Sequence, residues 1–119
     1  MISRSHRFRG INSLRPVYRH GQTVRGPFFS VKSMSNPKRS SYRLAVVVSR
    51  KVDKSAVARN RIRRRFYEAV RQFEDDIASP FDIVATVFPG QGKDESGQSL
   101  VTELKRLFKQ AGIFDKPDR

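Results

Sequence analysis

The sequence predicts an α+β domain in which helices pack on one small sheet. Three observations carry that prediction. The chain has 119 residues, room for one domain and hardly more. Its apolar residues follow two periods: short Val- and Phe-rich runs at 28–34, 42–49 and 82–88, and longer stretches where apolar residues recur every three or four positions. These segments follow one another as α, β, β, α, β, α, an order that buries helix stripes against a sheet.

Residues 1–11 are basic and lack a periodic face, which reads as a flexible N-terminal arm. Ser13 suits the N-cap of a short helix from Leu14 to about His20, with Gly21 as its C′ residue. Pro16 then falls in the first turn, where its missing N–H costs little. Leu14, Val17 and Tyr18 make an i, i+3, i+4 face on that helix. Residues 28–34 read as a strand, 35–41 as a turn around Asn36-Pro37, and 42–49 as the strongest strand. The two strands are close enough in sequence to pair as a hairpin. Asp53 or Ser55 can cap a helix from about Ala56 to Ile77, whose Ile62, Phe66, Ala69, Val70, Phe73 and Ile77 share one face. Pro80 ends that segment, and residues 82–88 form a further strand. A loop over 89–98 leads to a second amphipathic helix marked by Leu100, Val101, Leu104, Leu107, Phe108 and Ala111. Gly112-Ile113 suits a Schellman ending. The domain thus spans 12–114, followed by a short tail at 115–119.

Composition narrows the function. The absence of Cys excludes disulfides, zinc fingers and thiol chemistry, and two His are too few for a histidine metal cluster. No apolar run approaches the ~20 residues that span a bilayer, and no secretory signal opens the chain. A cytoplasmic protein without a membrane partner is expected. The net charge of +14 is uneven: residues 1–71 carry 19 Lys/Arg against two acids, Asp53 and Glu68, while the rest is slightly acidic. A small domain sustains that self-repulsion when a polyanion neutralises it. Arg outnumbers Lys by 17 to 8, and Arg forks onto phosphate and stacks on bases, which favours nucleic acid over simple charge attraction.

The charge is densest at Arg59-Asn60-Arg61-Ile62-Arg63-Arg64-Arg65. Ordinary surface helices alternate signs because i, i+4 ion pairs stabilise them; here Glu68 is the one acid nearby. Asn60, Arg64, Tyr67 and Arg71 form a stripe away from the apolar face, with Arg61 and Glu68 beside it. One helix is therefore anchored by its greasy side and presents guanidinium groups on the other. Asn60 can hydrogen-bond a base edge, a ribose or a loop carbonyl, and Tyr67 can stack. A solvated basic face is the bland alternative, weakened by five Arg in seven residues.

Val57-Ala58-Arg59-Asn60-Arg61-Ile62-Arg63-Arg64, with Glu68 and Arg71 following, resembles the signature of the bacterial ribonuclease P protein subunit. Val46-Val47-Val48-Ser49-Arg50-Lys51-Val52 resembles the strand and basic turn that precede it, and His20-Gly21 with Val24 and Phe29 resembles the family's first helix end and passage into the sheet. The resemblance implies a two-layer α/β sandwich of the ribosomal protein S5 domain 2 type. Such a fold has about four strands in a mixed sheet and three helices, in the order α-β-β-β-α-β-α, with a left-handed βαβ crossover, against the common rule. It also implies a protein that binds a catalytic RNA and the 5′ leader of precursor tRNA, with the RNA and its Mg²⁺ performing hydrolysis. No obligate protein partner is implied. By position, Arg59, Asn60, Arg61, Arg63, Arg64 and Arg71 match the RNA-facing motif, with Tyr67 where many members have Arg, and Arg50 and Lys51 match the basic turn. The leader cleft falls on Leu14, Tyr18, Phe29 and Lys32, of which only Tyr18 and Phe29 are aromatic. From that substitution pattern a more electrostatic leader grip is expected, through Lys32 with Arg25 or Arg43 assisting.

No nucleophile–base pair is visible, and Asp75-Asp76 reads as a solvated helix end rather than a metal site. The isolated protein is expected to be non-catalytic. A ribosomal or other structural RNA-binding protein is the main alternative, since it shares the charge and size but needs no leader cleft. A DNA-binding helix-turn-helix fits less well, because a strand rather than a helix precedes residue 56.

Overall fold

A computed structural model of the chain describes residue 6 and residues 14–77, 80–89 and 97–114. The cap expected at Ser13, most of the basic arm, the centre of the 89–98 loop and the tail lie outside the described residues. Within them the order is α1 (Arg15–His20), β1 (Gln22–Arg25), β2 (Phe29–Ser35), β3 (Arg43–Val47), α2 (Ala56–Arg71), a 3₁₀ turn (Glu74–Asp76), β4 (Phe81–Val87) and α3 (Gly97–Gln110). This is the three-helix, four-strand α+β order implied by the family resemblance.

The sheet runs β1-β2-β4-β3. β2 lies antiparallel to both β1 and β4, and β3 lies parallel to β4 across the α2 crossover. The expected hairpin between residues 28–34 and 42–49 does not form, because β4 separates them. The reason lies in the strands' apolarity. Ile83, Val84 and Ala85 are all fully buried, so β4 is apolar on both faces and takes a central place, where both faces are covered. β2 instead folds back on β1, a pairing closed by Gly26 N–H donating to Phe29 O at 2.9 Å.

Strand parity sorts the side chains between two faces. Phe29, Val31, Leu44, Val46, Ile83, Ala85 and Val87 point to one face and meet α2 and α3. The Phe29 ring stands edge-on to Phe66 at 5.1 Å, and Phe73 stands edge-on to Phe108 and Phe114. Helix α1 lies on the other face, where Val17 and Val84 are both fully buried apart from the main core. Of the expected Leu14, Val17, Tyr18 face only Val17 is buried. A six-residue helix holds on by one side chain, and Tyr18 stays 47% exposed.

Helix α2 ends at Arg71, six residues before the expected Ile77. Glu74, Asp75 and Asp76 would place three negative charges at the helix C-terminus, against its dipole. The chain turns through a 3₁₀ segment there, and Phe73 still enters the core. Gly21 is extended (φ −72°, ψ 155°), so the left-handed C′ geometry is absent. Glycine is required there by closeness instead: a Cβ would sit 2.5 Å from Val17 O and 3.0 Å from Ser33 O. The Schellman ending of α3 is present. Gly112 takes φ 77°, its N–H donates to Lys109 O, and Ile113 N–H donates to Phe108 O.

Candidate nucleic-acid interface

The basic turn and the arginine helix form one continuous surface. Val52 is buried and its N–H donates to Ser49 O at 3.0 Å, which pins the turn and leaves Arg50 and Lys51 exposed. Asp53 Oδ1 accepts from Ser55 N–H at 2.9 Å, and the Ser55 hydroxyl accepts from Ala58 N–H at 3.2 Å. Of the two capping candidates, Ser55 is the N-cap and Asp53 orients it.

From that start α2 buries Ile62, Phe66, Ala69 and Val70. At ~100° per residue, Asn60, Arg64 and Arg71 then face away from the core, and Tyr67 falls on the flank between the two faces. Asn60, Arg61, Arg64 and Arg71 are exposed, and Tyr67 is half-buried with its ring against the core edge. Arg71 comes within 3.9 Å of Glu68, but both side chains are about half exposed, so the pair neutralises little. Arg59 and Arg63 do something the sequence does not show. Arg59 Nη1 donates to Asp53 O (3.0 Å) and Lys54 O (2.9 Å), tying the basic turn to the helix. Arg63 donates to Asn60 Oδ1 (2.7 Å) and reaches Val48 O at 3.4 Å. These two arginines shape the surface from within as well as adding to its charge.

The groove beside α1 is separate, because α1 and α2 lie on opposite faces of the sheet. Lys32 Nζ donates to Tyr18 O at 2.7 Å and lies 5.9 Å from the Tyr18 ring centre. Leu14 is half-buried at the head of the helix. Ser30, Ala45, Val47 and Thr86, all half-buried, share the same sheet face by parity and make a shallow floor of small side chains. Two expectations are corrected here. Phe29 is 1% exposed and points to the opposite face, into the core, because it stands three residues from Lys32 on one strand. Arg43 is committed to structure: its Nε and Nη2 donate to the Asp82 carboxylate at 2.9 and 2.8 Å, and Asn36 donates to the same group at 2.8 Å. Arg25 remains exposed at the groove, its guanidinium 4.7 Å over the Phe88 ring.

Two polar clusters escaped the sequence reading. The buried Asp82 just described reads as the first polar residue of a strand, and nothing in the sequence pairs it with Arg43, 39 residues away. The second joins His6, Tyr42 and Glu74. The His6 and Tyr42 rings stack at 4.1 Å, and the Tyr42 hydroxyl donates to Glu74 at 2.6 Å. Burial, then the Glu74 carboxylate, pushes the Tyr42 phenol well above its ordinary pKa and keeps that proton in place. Asp75 and Asp76 beside it are exposed, and His20 ends α1 in solvent. Among the described residues no three His, Cys, Asp or Glu side chains converge to hold a metal ion, and no helix is long and apolar enough to cross a membrane.

A four-stranded mixed sheet with an outward-facing arginine helix on one side and a basic groove on the other defines a small α+β protein with two basic surfaces. Comparison with known proteins gives it a family. Residues 2–112 match the model of the Ribonuclease P family, and the chain belongs to that family. It is 34% identical over 116 residues to the ribonuclease P protein component of Synechococcus elongatus, covering 95% of each chain. It is 33% identical over 99 residues to that of a Synechocystis species, covering 83% of this chain and 79% of the relative. The solved structure of the Staphylococcus aureus RNase P protein superposes with a TM-score of 0.81 at 25% identity, covering 92% of this chain and 98% of that one. The Thermotoga maritima RNase P protein superposes at 0.74, also at 25% identity, covering 87% and 96%.

Proposed function

We propose that the chain is the protein subunit of a ribonuclease P holoenzyme, binding its catalytic RNA through α2 and the basic turn and the 5′ leader of precursor tRNA in the α1 groove. The observation that carries this is the anchoring of α2: its buried face leaves Arg61, Arg64 and Arg71 exposed on the other, continuous with Arg50 and Lys51. Five closely spaced cations lower the cost of crowding RNA phosphates against one another. The groove lies across the sheet from that surface, so two RNA segments can be held at once without competing.

The groove suits a single strand held with little sequence reading. Tyr18 offers a stacking face, Lys32 and Arg25 offer charge, and the small floor residues admit a backbone. Lys32 is positioned by its bond to the Tyr18 main-chain carbonyl and lies 5.9 Å from the Tyr18 ring centre, so charge and stacking face stand side by side. In this reading hydrolysis and its Mg²⁺ belong to the RNA; the protein supplies binding and alignment, which alone are worth large factors in rate.

Reconstitution tests the reading. The protein is added to a bacterial ribonuclease P RNA and precursor tRNA at low Mg²⁺. The expected result is stimulated 5′ maturation, lost progressively as the leader is shortened and as Tyr18→Ala and Lys32→Ala are introduced. Cleavage unaffected by the protein, with copurification of ribosomal RNA instead, overturns it in favour of a structural RNA-binding protein.

A further inference from the structure

A cavity of about 260 Å³ opens on the outer face of α2, lined by Asn60, Arg63, Arg64 and Tyr67. It is smaller than a typical site for a drug-sized molecule and suits one flat ring. Its walls have a definite polarity. Arg only donates hydrogen bonds, so the Asn60 atom that Arg63 meets at 2.7 Å is the amide oxygen. The amide NH₂ is therefore the end of Asn60 that Arg63 leaves available to a ligand. Arg63 is itself held by Asn60 and the Val48 carbonyl, and Arg64 is exposed at the rim. Asn60 Nδ2 and two guanidinium groups surround the cavity with donors, and the Tyr67 ring supplies an aromatic wall.

We infer that this cavity takes a single unpaired guanine base of the bound RNA, stacked on Tyr67, with its O6 and N7 edge turned to Asn60 and Arg64. The inference rests on the RNA-binding reading above and adds a base preference to it. Guanine presents two adjacent acceptors on that edge, the pattern a guanidinium fork matches best. Adenine presents N7 beside an amino group, which sets donor against donor. The usual bidentate pairing of Asn with adenine needs the amide oxygen and NH₂ turned together to the base, whereas here the oxygen is drawn to Arg63. Tyr67 stands where the family resemblance places Arg in many members, so the aromatic wall is a feature of this chain rather than of the motif.

The test uses the full chain and short oligocytidine strands carrying one central guanosine, inosine or adenosine. Guanosine and inosine share O6 and N7, and both are expected to bind about 10-fold more tightly than adenosine. Tyr67→Phe keeps the preference, because the ring is retained. Tyr67→Leu abolishes it while preserving bulk at the core edge, and it leaves the salt slope of binding unchanged, because stacking releases no counterions. Equal binding of guanosine and adenosine by the unaltered protein overturns the inference, as does a guanosine preference that survives Tyr67→Leu. In either case continued tight binding of ribonuclease P RNA leaves the functional reading standing. Failure to bind that RNA at all overturns both.

Discussion

The salt dependence of RNA binding measures how many cations of this surface meet phosphate. Arg50, Lys51, Arg61, Arg64 and Arg71 are exposed on the basic turn and outer α2 face, whereas Arg59 and Arg63 already donate to Asp53, Lys54 and Val48 carbonyls. Five phosphate contacts predict a log–log slope of about −3.5 if the RNA behaves as single strand and about −4.5 if as duplex. Raising salt from about 50 to 200 mM should then weaken binding roughly 130- to 500-fold. Arg64→Ala removes one contact, so the slope becomes shallower by about 0.7–0.9 and the same salt step costs roughly 50- to 150-fold. Arg59→Ala should behave differently. It unties the turn from the helix and lowers thermal stability, with a smaller change in slope. Filter-binding titrations of the three proteins against ribonuclease P RNA at several salt concentrations read both quantities. A slope shallower than about −2, or equal slope changes for Arg59→Ala and Arg64→Ala, would refute this division of labour.

Further expectations concern the scaffold under the two surfaces. Gly21→Ala forces α1 away from β2, since its Cβ meets Val17 O and Ser33 O; a loss of about 1–3 kcal/mol in denaturant unfolding and weaker leader discrimination should appear together. Arg43→Ala leaves the buried Asp82 carboxylate with Asn36 alone, and should cost about 3 kcal/mol with little effect on the salt slope of RNA binding. A loss under about 1 kcal/mol would place that ion pair among the inconsequential ones. Tyr42 is more readily ionised unfolded than folded, because burial and Glu74 raise its pKa in the native state. Its contribution is intact below about pH 10 and falls as pH rises beyond it. The stability difference between the unaltered protein and Tyr42→Phe should therefore shrink on the alkaline side and stay flat from pH 6 to 9.

The sequence by itself determined the class of protein. Helix α2 was legible because its apolar stripe and its arginines fall on different faces at a 3.6-residue period, a property of local geometry alone. The Schellman ending at Gly112 and a cap at Asp53 or Ser55 were legible for the same reason: each is set by residues within a few positions, and the structure chose Ser55. Strand partnership was not. β2 and β3 read as hairpin neighbours from their separation, yet β4 lies between them, because burial on both faces is a global property of the sheet. The same limit governed the groove. Lys32 meets Tyr18 across α1 and β2, but Phe29 went to the core by strand parity, and Arg43 went to a buried carboxylate distant in sequence. The tertiary structure alone decided which arginines face solvent and which hold the backbone. That choice depends on the Asp53, Lys54 and Val48 carbonyls that the fold brings within reach of Arg59 and Arg63, and no count of charge along the chain contains it.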